Sequence, residues 1–160
     1  MRKYVLMMPA LFAFSAFSLH AEEENVLGKA GFAVCQACHG PDAKGLSVGD
    51  KKMAASLAGS KIVNGDASVM ALAVMKGIKQ EHSDYLVAMA PLEAAFTDDA
   101  KFAAVLTYVR QSFGNKASAV TAKDVAAFRK EWAEVKDPVP RAQLEELNKK
   151  KSEEKKQPQK

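Results

Sequence analysis

Cysteine is scarce in this sequence, with two residues in 160, Cys35 and Cys38. That scarcity excludes a disulfide framework, because a bridge between residues three apart closes too small a loop to constrain the chain. A second Cys-x-x-Cys is absent, so a closed four-ligand zinc site built on Cys35, Cys38 and His39 would have to recruit His82. An excess of one charge sign is also lacking. The formal net charge of +4 falls to +2 when Arg2 and Lys3 are set aside, which gives no reason to invoke nucleic acid. Beyond the N-terminal stretch no apolar run reaches the ~20 residues a spanning helix needs. There is no internal repeat and no convincing strand pattern, so the chain reads as all-α. A thioredoxin-like reading of Cys-x-x-Cys would need a βαβ context that is missing here.

What is present begins at the N terminus. Arg2 and Lys3 precede an apolar run from Tyr4 to Leu19, interrupted by Pro9, and Leu19-His20-Ala21 leads into Glu22-Glu23-Glu24. This is the layout of a secretory signal peptide, with cleavage expected after Ala21. An uncleaved anchor is the alternative, since Leu19 is large for its place. No cysteine lies near the junction to carry a lipid. Residues 1–21 are therefore assigned to export, and the mature chain is expected in the periplasm or otherwise outside the cytoplasm, without a transmembrane segment.

The stretch that organises the rest is Cys35-Gln36-Ala37-Cys38-His39, a Cys-x-x-Cys-His signature of covalent haem attachment. Residues three apart share a helical face, so both thiols can add to the vinyl groups of one haem edge, and His39 can bind iron from the proximal side. Its other ring N–H should donate to a backbone carbonyl, which fixes the tautomer. A distal ligand must come from elsewhere. Met89 is the leading candidate, because its segment is apolar and ended by Pro91, which favours a loop over a helix. His82, another methionine or an open site are the alternatives; Met53, Met70 and Met75 read as core filling. A thioether would raise the reduction potential, whereas a second imidazole would leave it lower.

Around this motif the pattern predicts a helix over 26–39, a loop-rich stretch over 46–60 anchored by Leu46, Val48, Met53 and Leu57, and a helix over 67–75 capped by Asp66 or Ser68. A further helix with Thr97 as N-cap carries Phe102, Val105, Leu106 and Val109. Gly28 and Phe32 are expected to cross closely against Tyr108. Thr121 with Asp124 approaches a capping box for an additional helix reaching Glu134. The domain division is 22–115 for the cofactor domain, 116–136 for the additional helix, and 137–160 for a charged tail, read as a short helix followed by disorder. Leu57, Ile62, Leu72, Leu86 and Leu106 are expected to pack on the macrocycle.

The region from about Val26 to Asn115 resembles the mono-haem cytochrome c family of bacteria, class I in type. The likeness rests on Gly28-Lys29, Phe32, the haem motif with Gly40-Pro41-Asp42, Leu57-Ala58-Gly59-Ser60, Tyr85 with Met89-Ala90-Pro91, and Thr97-Asp98-Asp99 with Val105–Arg110. Phe113-Gly114-Asn115 and one more helix are similar to cytochrome domains accompanying exported dehydrogenases or oxidases. The resemblance implies one covalent haem c with iron held by His39 and Met89, and a one-electron carrier that is not itself an enzyme. Its partners would be redox proteins: a dehydrogenase, an oxidase or a respiratory complex. A fixed subunit of such a complex is the alternative, and a haem enzyme or gas sensor with a labile distal ligand is a third reading. The family places proline just before the Leu-x-Gly element, where a carbonyl accepts the proximal histidine hydrogen bond. Here Ala55-Ser56 stands in that place. Lys44, Lys51, Lys52, Lys76 and Lys79 are candidates for a docking ring.

Overall fold

The computed structural model describes residues 14–80 and 85–156. The described chain is mostly helical, in the order α1 (Phe14–His39), β1 (Ser47–Val48), β2 (Lys51–Lys52), α2 (Lys61–Asn64), α3 (Ala67–Lys76), α4 (Asp99–Gln111), α5 (Ala122–Glu131) and α6 (Arg141–Glu154). The expected helix over 26–39 is the C-terminal half of the longer α1, which runs unbroken across the position of the expected cleavage after Ala21.

The organising contact is α1 against α4. Gly28 makes it possible, since a Cβ there would stand 2.4 Å from the Ala104 carbonyl oxygen and 2.6 Å from the Tyr108 Cβ. Gly31, one turn on, is filled in the same way by Val105, whose Cγ2 would lie 2.2 Å from an added Cβ. With the backbones this close, Phe32 is fully buried, and its ring packs 5.7 Å from Tyr108 and 5.0 Å from Phe113.

Capping explains most helix starts. Asp66 accepts from the Ser68 N–H at the head of α3, and Thr121 with Asp124 forms a full capping box on α5. The start of α4 differs from expectation. Asp98, not Thr97, is the N-cap, accepting from both Ala100 and Lys101 N–H groups. A carboxylate makes stronger, charge-assisted hydrogen bonds than a hydroxyl and also favours the helix dipole. The 46–60 stretch carries a two-rung antiparallel hairpin, pairing Ser47 with Lys52 and Val48 with Lys51. Leu46 and Val48 are not anchors, being 42% and 49% exposed on this hairpin.

The C-terminal segment also departs from expectation. α5 ends at Glu131 instead of Glu134, and Trp132 donates its indole N–H to the Ser68 carbonyl at 2.9 Å. The short helix expected in the charged tail forms over residues 141–154 as α6, 14 residues long and docked on α2 and α3. Leu144 is fully buried. Asn148 accepts from the Asp66 N–H at 2.7 Å and donates to the Lys61 carbonyl at 2.9 Å, while Lys155 pairs with Asp66 at 2.7 Å. One buried leucine, the partly buried Leu147 and an asparagine bridge hold a helix whose other faces are charged.

Candidate functional site

The last turn of α1 presents the motif. The chain then folds back on it: Gly45 and Leu46 N–H groups donate to the His39 and Cys38 carbonyls at 2.8 and 3.0 Å, satisfying the helix end. Ala43, buried and at φ 58°, offers its carbonyl to the Leu57 N–H at 2.7 Å and the Ala58 N–H at 3.3 Å. This fold-back carries Ala55 over His39. The His39 Nδ1 lies 2.8 Å from the Ala55 carbonyl oxygen, so Nδ1 carries the proton and Nε2 is left as a lone-pair donor. Burial holds the His39 imidazole below its ordinary proton affinity; the Ala55 hydrogen bond opposes this and the charge of Arg141 adds to it.

Opposite lies the segment 85–91. Its two ends are pinned by main-chain bonds. Leu86 N–H donates to the Lys52 carbonyl at 3.0 Å, and Met89 exchanges bonds with Ile78 at 3.0 and 3.1 Å. Gly77 permits the approach of Ile78 to Met89: at φ 78°, an added Cβ would stand 2.3 Å from the Met89 carbonyl oxygen. Ile78 is in turn bridged on its other side by Val139.

Between these walls is a cleft of about 260 Å³ lined by Cys35, Cys38, His39 and Met89, with Val34, Ala54, Ala55, Ile78, Val87, Ala88 and Leu92 as apolar wall and Lys79, Tyr85 and Arg141 as polar members. A smaller cavity of about 50 Å³ shares His39, Ala55, Ile78, Met89 and Arg141 and adds Leu57, Ile62 and Met70. The structure therefore brings the four sequence-selected site residues to one cavity. Met75 is core and Met70 lines only the smaller cavity. His82 lies outside the described residues. Of the apolar residues expected around the site, Leu57 and Ile62 line the smaller cavity. Leu72 and Leu106 are deep in the protein core instead, and Leu86 is 36% exposed.

The thiol chemistry narrows the options. The two cysteines are unbridged, and burial together with the neighbouring Cys38 pushes the Cys35 thiol up to about 11. A thiol that stays protonated at neutral pH is poorly suited to disulfide exchange. Among the described residues no group of three or more His, Cys, Asp or Glu side chains is placed to hold a metal ion. The donor set instead fits a flat apolar group attached along one edge: two thiols on the last turn of α1, an oriented imidazole beside them, a thioether on the facing segment, and walls of small aliphatic side chains.

Several contributors carry little signal in the sequence. Ala55 acts through its carbonyl, which any residue supplies. Arg141 reaches the cleft from α6, and its guanidinium stands 5.5 Å over the Tyr85 ring. The only local hint is its place directly after Pro138-Val139-Pro140. A scan against protein-family models finds no match to the chain, and a search of curated proteins likewise finds none.

Proposed function

We propose that the chain is an exported electron-transfer protein, a c-type cytochrome in which Cys35 and Cys38 would hold one haem covalently and His39 and Met89 would hold its iron. The observation that carries this reading is the convergence of those four side chains on one apolar cleft, with His39 already oriented by Ala55. Haem bound there supplies a one-electron iron couple.

The chain's own residues set its terms. Ala55 keeps the Nδ1 proton in place, so Nε2 stays available and the imidazole is made a better donor. The Ile78 and Lys52 bridges hold the Met89 segment against the opposite wall; a thioether there favours the reduced state. Val34, Val87, Ala88 and Leu92 give the cleft an apolar wall against which the macrocycle would pack. With His39 and Met89 both committed to the iron, no position would remain for substrate, and electrons would pass through the open side of the cleft. Val34 at 50% and Val87 at 36% exposure mark that side. Of the candidate docking lysines, Lys44, Lys51, Lys52 and Lys79 are exposed and Lys79 lines the cleft, whereas Lys76 is committed to Glu93 at 2.7 Å.

A fixed seat in a dehydrogenase or respiratory complex is the second reading. Leu46, Val48 and Leu86 favour it, as exposed apolar residues on segments joined by the Lys52–Tyr85 bridge. Salt separates the two: a carrier docking through lysines slows as ionic strength rises, and an apolar seat does not.

The test is a redox titration with carbon monoxide challenge on the matured protein. A single one-electron wave is expected, with no carbon monoxide binding to the reduced form and ready binding in Met89→Ala. Tight binding to the unmutated protein would move the reading to a haem enzyme or gas sensor.

A further inference from the structure

We infer that Arg141 is a ligand for a carboxylate of the group held in the cleft, so that the C-terminal extension is part of the cofactor site; this rests on the haem reading above. A haem carries two propionates, and the planar guanidinium fork matches a carboxylate in two-point contact. Three independent features place it. Arg141 lines both the main cleft and the smaller cavity beside His39 and Met89. Its guanidinium is stacked over Tyr85, itself a cleft residue. Its backbone is held from both directions: upstream the Val139 N–H donates to the Gly77 carbonyl and the Val139 carbonyl accepts from the Lys79 N–H, each at 3.1 Å, and downstream Leu144 and Asn148 dock α6.

Lys79 also lines the cleft but is exposed, so it is the weaker competitor for a buried carboxylate. The same extension steadies the distal side, because Val139 bridges Ile78 and Ile78 bridges Met89.

The test compares matured full-length protein with Arg141→Gln and Arg141→Lys, reading haem attachment, helicity and reduction potential. Loss of the guanidinium leaves a carboxylate charge uncompensated and favours the oxidised state. Arg141→Gln should shift the oxidised-to-reduced ratio at fixed poise three- to tenfold toward oxidised, the upper limit being about 59 mV for one electron. Arg141→Lys should bring the ratio back to within twofold of the parent. Helicity should be unchanged in both. An attached haem with unaltered potential in Arg141→Gln overturns this inference and leaves the haem reading intact. An equal fall in the glutamine and lysine variants overturns it too, because charge is then not the cause. If the glutamine variant does not accumulate, Arg141→Lys decides: a ratio within twofold of the parent supports the inference, and a larger fall contradicts it. Colourless parent protein would overturn the haem reading and this inference together.

Discussion

The two sides of α1 are built to different standards. On the side facing α4, Gly28 and Gly31 leave no space even for a methyl group, and Phe32, Tyr108 and Phe113 close over one another. On the side facing the cleft, aliphatic side chains such as Val34 and Val87 stand open to solvent, and the opposite wall is held by isolated main-chain bridges with only Ile78, Met89 and Leu92 reaching the core. The first side is complete as protein. The second is an open cleft with aliphatic walls, sulfur and nitrogen donors and an oriented imidazole. On the reading proposed above, this is where a non-protein group would take the place of a core.

Removing the means of attachment should break this comparison most severely. Cys35→Ala/Cys38→Ala leaves the cleft side without filling in a domain whose core is limited by its size, and far-UV circular dichroism should show most helicity lost. Native helicity in that variant would mean the cleft side is complete without its group. Next in size, Leu144→Ala should cost about 2–5 kcal/mol in denaturant unfolding, since the side chain is fully buried beneath α6. A negligible loss would make α6 dispensable to the core. On the finished side, Gly28→Ala should cost about 1–3 kcal/mol by forcing α1 from α4, read as a lower thermal midpoint with the cofactor environment little changed. The smallest expected effect is electrostatic. Burial pushes the Asp66 carboxyl up, but hydrogen bonds from Lys155 and Ser68 outweigh it and leave the group below the ordinary value of 3.8. A depressed carboxylate stabilises the fold above its unfolded pKa, and that contribution is lost as pH falls through the folded one. Unfolding scans should therefore show a loss of stability below about pH 4 that Asp66→Asn flattens; identical pH profiles would remove Asp66 from the anchoring of α6.

Much of this was legible because it is local. Cys35, Cys38 and His39 sit within five positions, Asp66 and Thr121 cap helices that begin at the next residue, and Pro91 keeps Met89 off a helix. The Gly28–Phe32–Tyr108 crossing was legible because a glycine one turn from an aromatic implies a close partner. The rest depends on what other segments bring. Arg110 looks like a surface residue at the end of α4, yet it is 2% exposed and donates to the carbonyls of Val63, Gly65 and Ser118, none of which its own helix reveals. Asn115 reads as a helix stop, but it ties Leu57, Gly59 and Asn64 to Val109. Composition limited the charged tail to a short helix followed by disorder, because Leu144 and Leu147 are its only large apolar residues after Arg141, and it could not show that Asn148 would find Asp66 and Lys61.

The most direct measurement is an absorption spectrum of the matured protein, oxidised and then reduced, followed by extraction into acidified organic solvent. The account predicts a low-spin haem spectrum with the signature of sulfur-ligated iron in the oxidised form, and colour that stays with the polypeptide through extraction. A colourless protein, or pigment that passes into the solvent, would contradict it.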